Sequence, residues 1–252
     1  MAYLCLVRPK REDMSGVART ADRTRPVRRA PILVCLALIL VYPLYSVPMQ
    51  ASIHNLVPRI GEIGARVVTE AAIWTYGGMV LAIALLWEGR TLASIGLRRF
   101  RFASLAFAFA GAVAMAGAGA LAAYVVYGLL HRAQHSNAQA AELVNGSVAY
   151  ALCIAVRAGV IEEILFRGLA IEQLTVLTGS RWVSAFLATA VFVVIHALHF
   201  DWVQLVPIAA VSVVLVGLYL WRRDLWANIL AHIMVDGVGL VTLALQAHKP
   251  AH

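Results

Sequence analysis

Residues 148–174 read VAYALCIAVRAGVIEEILFRGLAIEQL, a run long and apolar enough to cross a hydrocarbon core. It nevertheless carries Arg157, Glu162, Glu163 and Arg167. An ionisable group in a spanning helix is costly unless it is paired or faces water, so each one present has a purpose. The rest of the chain decides whether this run is a soluble core or a membrane helix. Of 252 residues, 62% are hydrophobic and only 13% are charged, against about half and about a quarter in soluble domains. Long stretches lack the charge to build a water-facing surface, and this excludes an ordinary soluble globular enzyme.

Outward from that run, further apolar stretches of spanning length lie at 31–47, 67–87, 102–130, 182–199, 204–220 and 225–246. The expected fold is all-α, a polytopic membrane bundle of about seven transmembrane helices with its site inside the membrane. The first run lies far from the N-terminus and lacks a small-residue cleavage site, so it is expected to stay as an anchor. Residues 1–29 are expected to be a flexible basic tail, 30–90 the N-terminal helices and 91–247 the catalytic core. The Ala- and Gly-rich stretch 103–123, with small residues from Gly111 to Gly119, suits close helix packing.

The net charge of +8 is a topology signal. Eight of the 21 basic residues precede the first span, which places the N-terminus in the cytoplasm. Arg90, Arg98, Arg99, Arg101, Arg181, Arg222 and Arg223 then fall in loops on the same side. Only Arg59, Arg66, Arg132 and Lys249 fall outside. Anionic lipid headgroups at the cytoplasmic face are the expected partner. Nucleic acid is not, because the basic residues form no aromatic-interleaved patch. Cys5, Cys35 and Cys153 match no metal or redox spacing and are taken as reduced. Trp182, Trp202, Trp221 and Trp226 sit at span ends as interface anchors.

The ionisable residues concentrate in the last four spans. Residues four apart share a helix face, so Glu163 can pair with Arg167. Glu162 is rotated away and left as the carboxylate free to take and return a proton. His232 and Asp236 are also four apart and can point into one cavity. His196 follows Phe192 by four, where the ring can shape the pocket beside the imidazole. His199, beside Asp201, reads as interfacial. Arg157 has Glu162, Glu163 or the lipid interface as its possible destinations.

These residues resemble the CPBP intramembrane proteases, which include the CAAX prenyl endopeptidases and the bacteriocin-processing or Abi-type proteins. The EExxxR motif is present as Glu162, Glu163 and Arg167, FxxxH as Phe192 and His196, and HxxxN/D as His232 and Asp236. The segment LASIGLRRF, 92–100, resembles one that many bacterial members carry ahead of the core. The resemblance covers about residues 90–246. It implies an endopeptidase in which Glu162, helped by His196, activates a water, while His232 and Asp236 stabilise the oxyanion. Glu163, Arg167 and Phe192 would be structural support. Asp236 replaces the Asn of the eukaryotic prenyl proteases, and Arg157 is unusual.

No cofactor is expected. Zinc held by Glu162, His196 and His232 is the mechanistic alternative, although HExxH is lacking. The expected substrate is a membrane-associated peptide or protein. The expected location is a bacterial inner membrane, the alanine and arginine bias hinting at a GC-rich bacterial genome. A transporter, or a non-catalytic immunity or binding protein, would use similar buried polar residues, but no internal repeat of the transporter kind is visible.

Overall fold

The computed structural model describes residues 29–129, 144, 146–198 and 200–247. The basic residues of the tail up to Arg28, and Cys5, Arg132, His199 and Lys249, lie outside the described residues. Among the described residues the chain is all-helical. Helix α1 is Arg29–His54, and α2 is Val57–Ala82 with a π-type last turn at Ile83–Trp87. A 3-10 turn at Leu92–Ile95 precedes α3, Phe102–Ala123, which ends in a π-type segment at Tyr124–Leu129. Helix α4, Val148–Glu162, continues without a break through a π-type segment, Glu163–Ala170, into α5, Ile171–Thr178. Helices α6 (Arg181–His196), α7 (Leu205–Arg222) and α8 (Leu225–Gln246) complete the bundle.

Among the described residues each of the seven apolar runs falls on helix over most of its length. Four helices are long and apolar enough to cross a membrane: Val57–Trp87, Phe102–Leu129, Leu205–Arg222 and Leu225–Gln246. Arg29–Tyr42 and Arg181–His196 are apolar but shorter. This is the make-up of an integral membrane protein. One local expectation is corrected: Arg59 and Arg66 lie on α2, not in a loop. Pro58, whose fixed φ suits a first helical turn, starts that helix early, and it kinks at Gly61, where φ is 71°.

Side-chain oxygens set the helix starts. Ser147 accepts from the Tyr150 amide, Ser180 from that of Val183, and Asp224 from those of Trp226 and Ala227, each satisfying donors that a helix N-terminus otherwise orphans. The main core joins α1, α2 and the α4–α5 rod to α6, α7 and the start of α8, with Cys35, Val80, Leu165, Leu169, Phe192 and Tyr219 buried in it. The small-residue face of α3 packs on α7 and α8 through Ala108, Met115, Leu215 and Ala231. The segment 92–100 is folded into the bundle. Gly96 takes a φ of 90°, which a side chain disfavours, and its carbonyl accepts the Leu225 amide at 3.1 Å.

Candidate active site

The site lies where the α4–α5 rod meets α8. The two helices approach closely at Gly159. A Cβ there would stand 2.5 Å from Ile233 Cγ1 and 3.1 Å from the Ile229 carbonyl oxygen, so only glycine permits this spacing. One turn further on, Glu163 opens the π-type segment, in which backbone bonds reach five residues back and each turn carries an extra residue. All eight residues of that segment are buried. On α8, Asn228, His232 and Asp236 follow at intervals of four and present one face to the rod.

Glu163 is fully buried and saturated. Its Oε1 accepts from Arg167 Nη1 at 2.8 Å and lies 2.8 Å from His232 Nδ1, and its Oε2 accepts from Asn228 Nδ2 at 3.2 Å. The Asn228 amide donates also to the Leu215 carbonyl at 2.8 Å. Both neighbours accept only, which fixes the amide's orientation. Arg167 is held from two more sides, donating to Ser212 Oγ at 3.4 Å and lying 4.5 Å over the Phe192 ring.

Glu162 is different. Its side chain keeps 20% of its surface, and its Oε2 faces His232 Nε2 at 4.0 Å, beyond a direct hydrogen bond. The same Nε2 lies 3.3 Å from Asp236 Oδ2, whose side chain is 34% exposed. His232 thus presents Nδ1 to one carboxylate and Nε2 to two others. Carboxylates accept only, so an imidazolium satisfies both directions. The structure brings together Glu162, Glu163, Arg167, His232 and Asp236.

His196 joins this cluster through Phe192 and not by a polar contact among the described residues. Phe192 is buried, 4.5 Å from the His196 ring and 5.0 Å from that of Phe166. The His196 Nδ1 lies 2.6 Å from the Phe192 carbonyl oxygen. A carbonyl only accepts, so Nδ1 carries the proton, and in a neutral ring Nε2 is left as an acceptor.

Arg157 pairs with neither Glu162 nor Glu163. Its Nε donates to Oε1 of Glu70 on α2 at 3.2 Å and lies 3.1 Å from Oε2, while remaining within electrostatic range of Glu162. Sequence reasoning missed Glu70, a single charge inside an otherwise apolar run. It missed Asn228 because an uncharged amide raises no alarm, although Asn228 precedes His232 by four and so shares its face. Ser212 carries no signal of its own. No three His, Cys, Asp or Glu side chains among the described residues are grouped as a metal site, so Glu162, His196 and His232 do not stand as an assembled ligand set.

Residues 144–238 match a protein-family model described as type II CAAX prenyl endopeptidase Rce1-like. That segment contains every residue of the cluster, from Glu162 to Asp236, and supports the resemblance carried by the three motifs. No curated protein and no solved structure matches the chain significantly.

Proposed function

We propose that this chain is an intramembrane endopeptidase that hydrolyses a peptide bond with a water activated by Glu162. The observation that carries this is the asymmetry of two adjacent carboxylates. Glu163 has both oxygens occupied by Arg167, His232 and Asn228, while Glu162 remains partly open and opposite an imidazole. A general base needs a vacant acceptor beside the reacting water, and Glu162 has one. The family match of residues 144–238 weighs for hydrolysis over transport.

In this mechanism Glu162 takes a proton from water, and the hydroxide attacks the scissile carbonyl carbon. His196 orients that water through Nε2. The developing oxyanion accepts a hydrogen bond from His232 Nε2–H, which keeps its proton, and Asp236, at 3.3 Å from that nitrogen, holds the ring in place and balances its charge. Glu162 then returns its proton to the leaving amine as the C–N bond breaks. Glu163 and Arg167 fix His232 without touching substrate. The substrate is a membrane-associated peptide or protein, reached in a bacterial cytoplasmic membrane with the N-terminus inside.

The test is cleavage of a fluorogenic peptide library by detergent-purified protein, comparing wild type, Glu162→Gln and His196→Ala, with and without a strong zinc chelator. General-base removal costs about 10²–10⁴-fold, so Glu162→Gln should fall by that factor, with the chelator making no difference. Retained cleavage by Glu162→Gln overturns the mechanism. Loss on chelation that added zinc reverses replaces it with a zinc-dependent one.

A further inference from the structure

The segment from Thr91 to Phe102 is an arm locked onto the turn between α7 and α8. Thr91 and Ser94 cap each other's backbone at its start. Arg223 Nη2 donates to the Ser94 carbonyl at 3.3 Å, Trp226 Nε1 to the Arg98 carbonyl at 2.8 Å, and Ser104 Oγ to Asp224 Oδ2 at 2.6 Å. With Ile95 fully buried, the arm is part of the fold.

The carboxylates at this end of the bundle are used internally. Glu88 accepts from Arg90 and Gln173. Glu172 is paired with Arg223 and Arg181 and accepts from Tyr219. Asp224 accepts from Ser104 and caps α8. Arg98, Arg99, Arg101 and Arg222 are all exposed, and among the described residues none has a carboxylate partner. Exposed arginines without a carboxylate partner among the described residues therefore lie on a rigid surface.

Aromatic rings are set among them, which corrects the expectation that the basic residues form no aromatic-interleaved patch. Phe100 stands edge-on to Phe102 and Trp226 at 6.2 and 6.0 Å, and Arg222 lies 3.9 Å over Phe107. Phe102, at the start of α3, is 85% exposed, and Trp221, at the end of α7, is 71% exposed. Exposed aromatics at span ends sit at headgroup depth, where the phosphodiester is the anion present. A guanidinium fork matches phosphate oxygens bidentately.

We infer that the arm and the α7–α8 turn form a binding site for the phosphate of an anionic phospholipid, gripped by Arg98, Arg99, Arg101 and Arg222 with its acyl boundary against Phe102 and Trp221. Generic attraction would need only loose surface charge. Here the backbone carrying the charge is fixed at three of its carbonyls, those of Ser94, Gly96 and Arg98. The inference does not depend on the protease mechanism, and its test reads lipid and not turnover.

The experiment incorporates the full chain into mixed phosphatidylglycerol–phosphatidylcholine micelles, exchanges it into lipid-free detergent and quantifies retained lipid by mass spectrometry. Each guanidinium near a membrane surface is worth about fivefold in binding. Replacing Arg98, Arg99 and Arg101 together by Gln should lower phosphatidylglycerol retention by up to about 100-fold, leaving phosphatidylcholine unchanged. The same three positions as Lys, which keep the charge but lose the fork, should retain an intermediate amount, and Arg59→Gln, on α2 away from the arm, should keep all. Equal retention by the Gln variant overturns the site, as does equal loss in the Lys variant, which would indicate damage to the arm and not lost charge. Displacement of the lipid by excess inorganic phosphate overturns the lipid assignment in favour of a free-phosphate site.

Discussion

Substituting Glu163→Gln separates structure from chemistry at this site. The side chains of Glu163 and Arg167 expose 0% and 1% of their surface, so Gln, whose amide oxygen still accepts but carries no charge, leaves a buried guanidinium uncompensated beside Ser212, at 3.4 Å, and the Phe192 ring. Breaking a buried ion pair by removing one partner costs about 3–5 kcal/mol. For a chain of this size each kcal/mol moves Tm by about 2–4 °C, so the melt should drop by roughly 6–20 °C. Glu162→Gln, which breaks no direct hydrogen bond, should stay within about 3 °C of wild type by the same scale. Combining Glu163→Leu with Arg167→Met removes both charges and should recover at least half of the loss, because a buried pair can be exchanged for apolar groups at little cost. The assay is thermal unfolding in detergent followed by circular dichroism. Equal melts for Glu163→Gln and wild type, or an equal loss for Glu162→Gln, would refute the division between the two carboxylates.

Gly159→Val should push α4 from α8, since its Cβ meets Ile233 and the Ile229 carbonyl. A cost of about 1–3 kcal/mol in the melt should accompany a larger loss of peptide cleavage, and an unchanged turnover would show that this contact does not set the Glu163–His232 distance. Asp236→Asn should keep the melt, because the side chain is 34% exposed. It should lower kcat by about 10–100-fold, the scale of an outer partner to a working histidine, with little change in KM. Unchanged kcat would remove Asp236 from the mechanism. In a background lacking Cys5, Cys35 and Cys153, Arg98→Cys should be shielded from an impermeant thiol reagent applied outside cells and Arg59→Cys should react. The reverse pattern would invert the topology.

The fold was legible because hydrocarbon demands a long apolar run and an internally bonded backbone, and among the described residues every such run falls on helix over most of its length. The edges were less visible. The sequence reading puts Arg59 and Arg66 in a loop, yet Arg66 pairs with Glu62 at 3.9 Å within α2 and lies over Tyr150 at 4.7 Å, the second a contact that depends on α2 lying against α4. The intrahelical pairs were readable from spacing alone. Glu163 with Arg167 and His232 with Asp236 are each four apart, and each is in contact. The partners across helices were not: Arg157 found Glu70 and Glu163 found Asn228, because spacing speaks only within one helix. The π-type segment at 163–170 likewise has no compositional signature, although it sets how Glu163 and Arg167 are presented.

The charge inventory of the site ties these contacts to its chemistry. Glu162, Glu163 and Asp236 converge on His232, and Arg167 is the one permanent cation in direct contact with them among the described residues. Arg157 is already balanced by Glu70. With His232 doubly protonated, as its two carboxylate-facing nitrogens require, the cluster carries one uncompensated negative charge, and Glu162 is the carboxylate without a direct donor to hold it. A net charge is costly inside hydrocarbon. In the proposed mechanism, when Glu162 takes the proton of a bound water the cluster becomes neutral and the negative charge passes to the hydroxide and then to the oxyanion, beside the His232 Nε2 proton. When the amine departs, the proton held by Glu162 leaves with it and the charge returns to that carboxylate. In that mechanism the cluster and the substrate together hold a constant total through the cycle, and only the position of one charge changes, a division of labour that uses both the saturated Glu163 and the open Glu162.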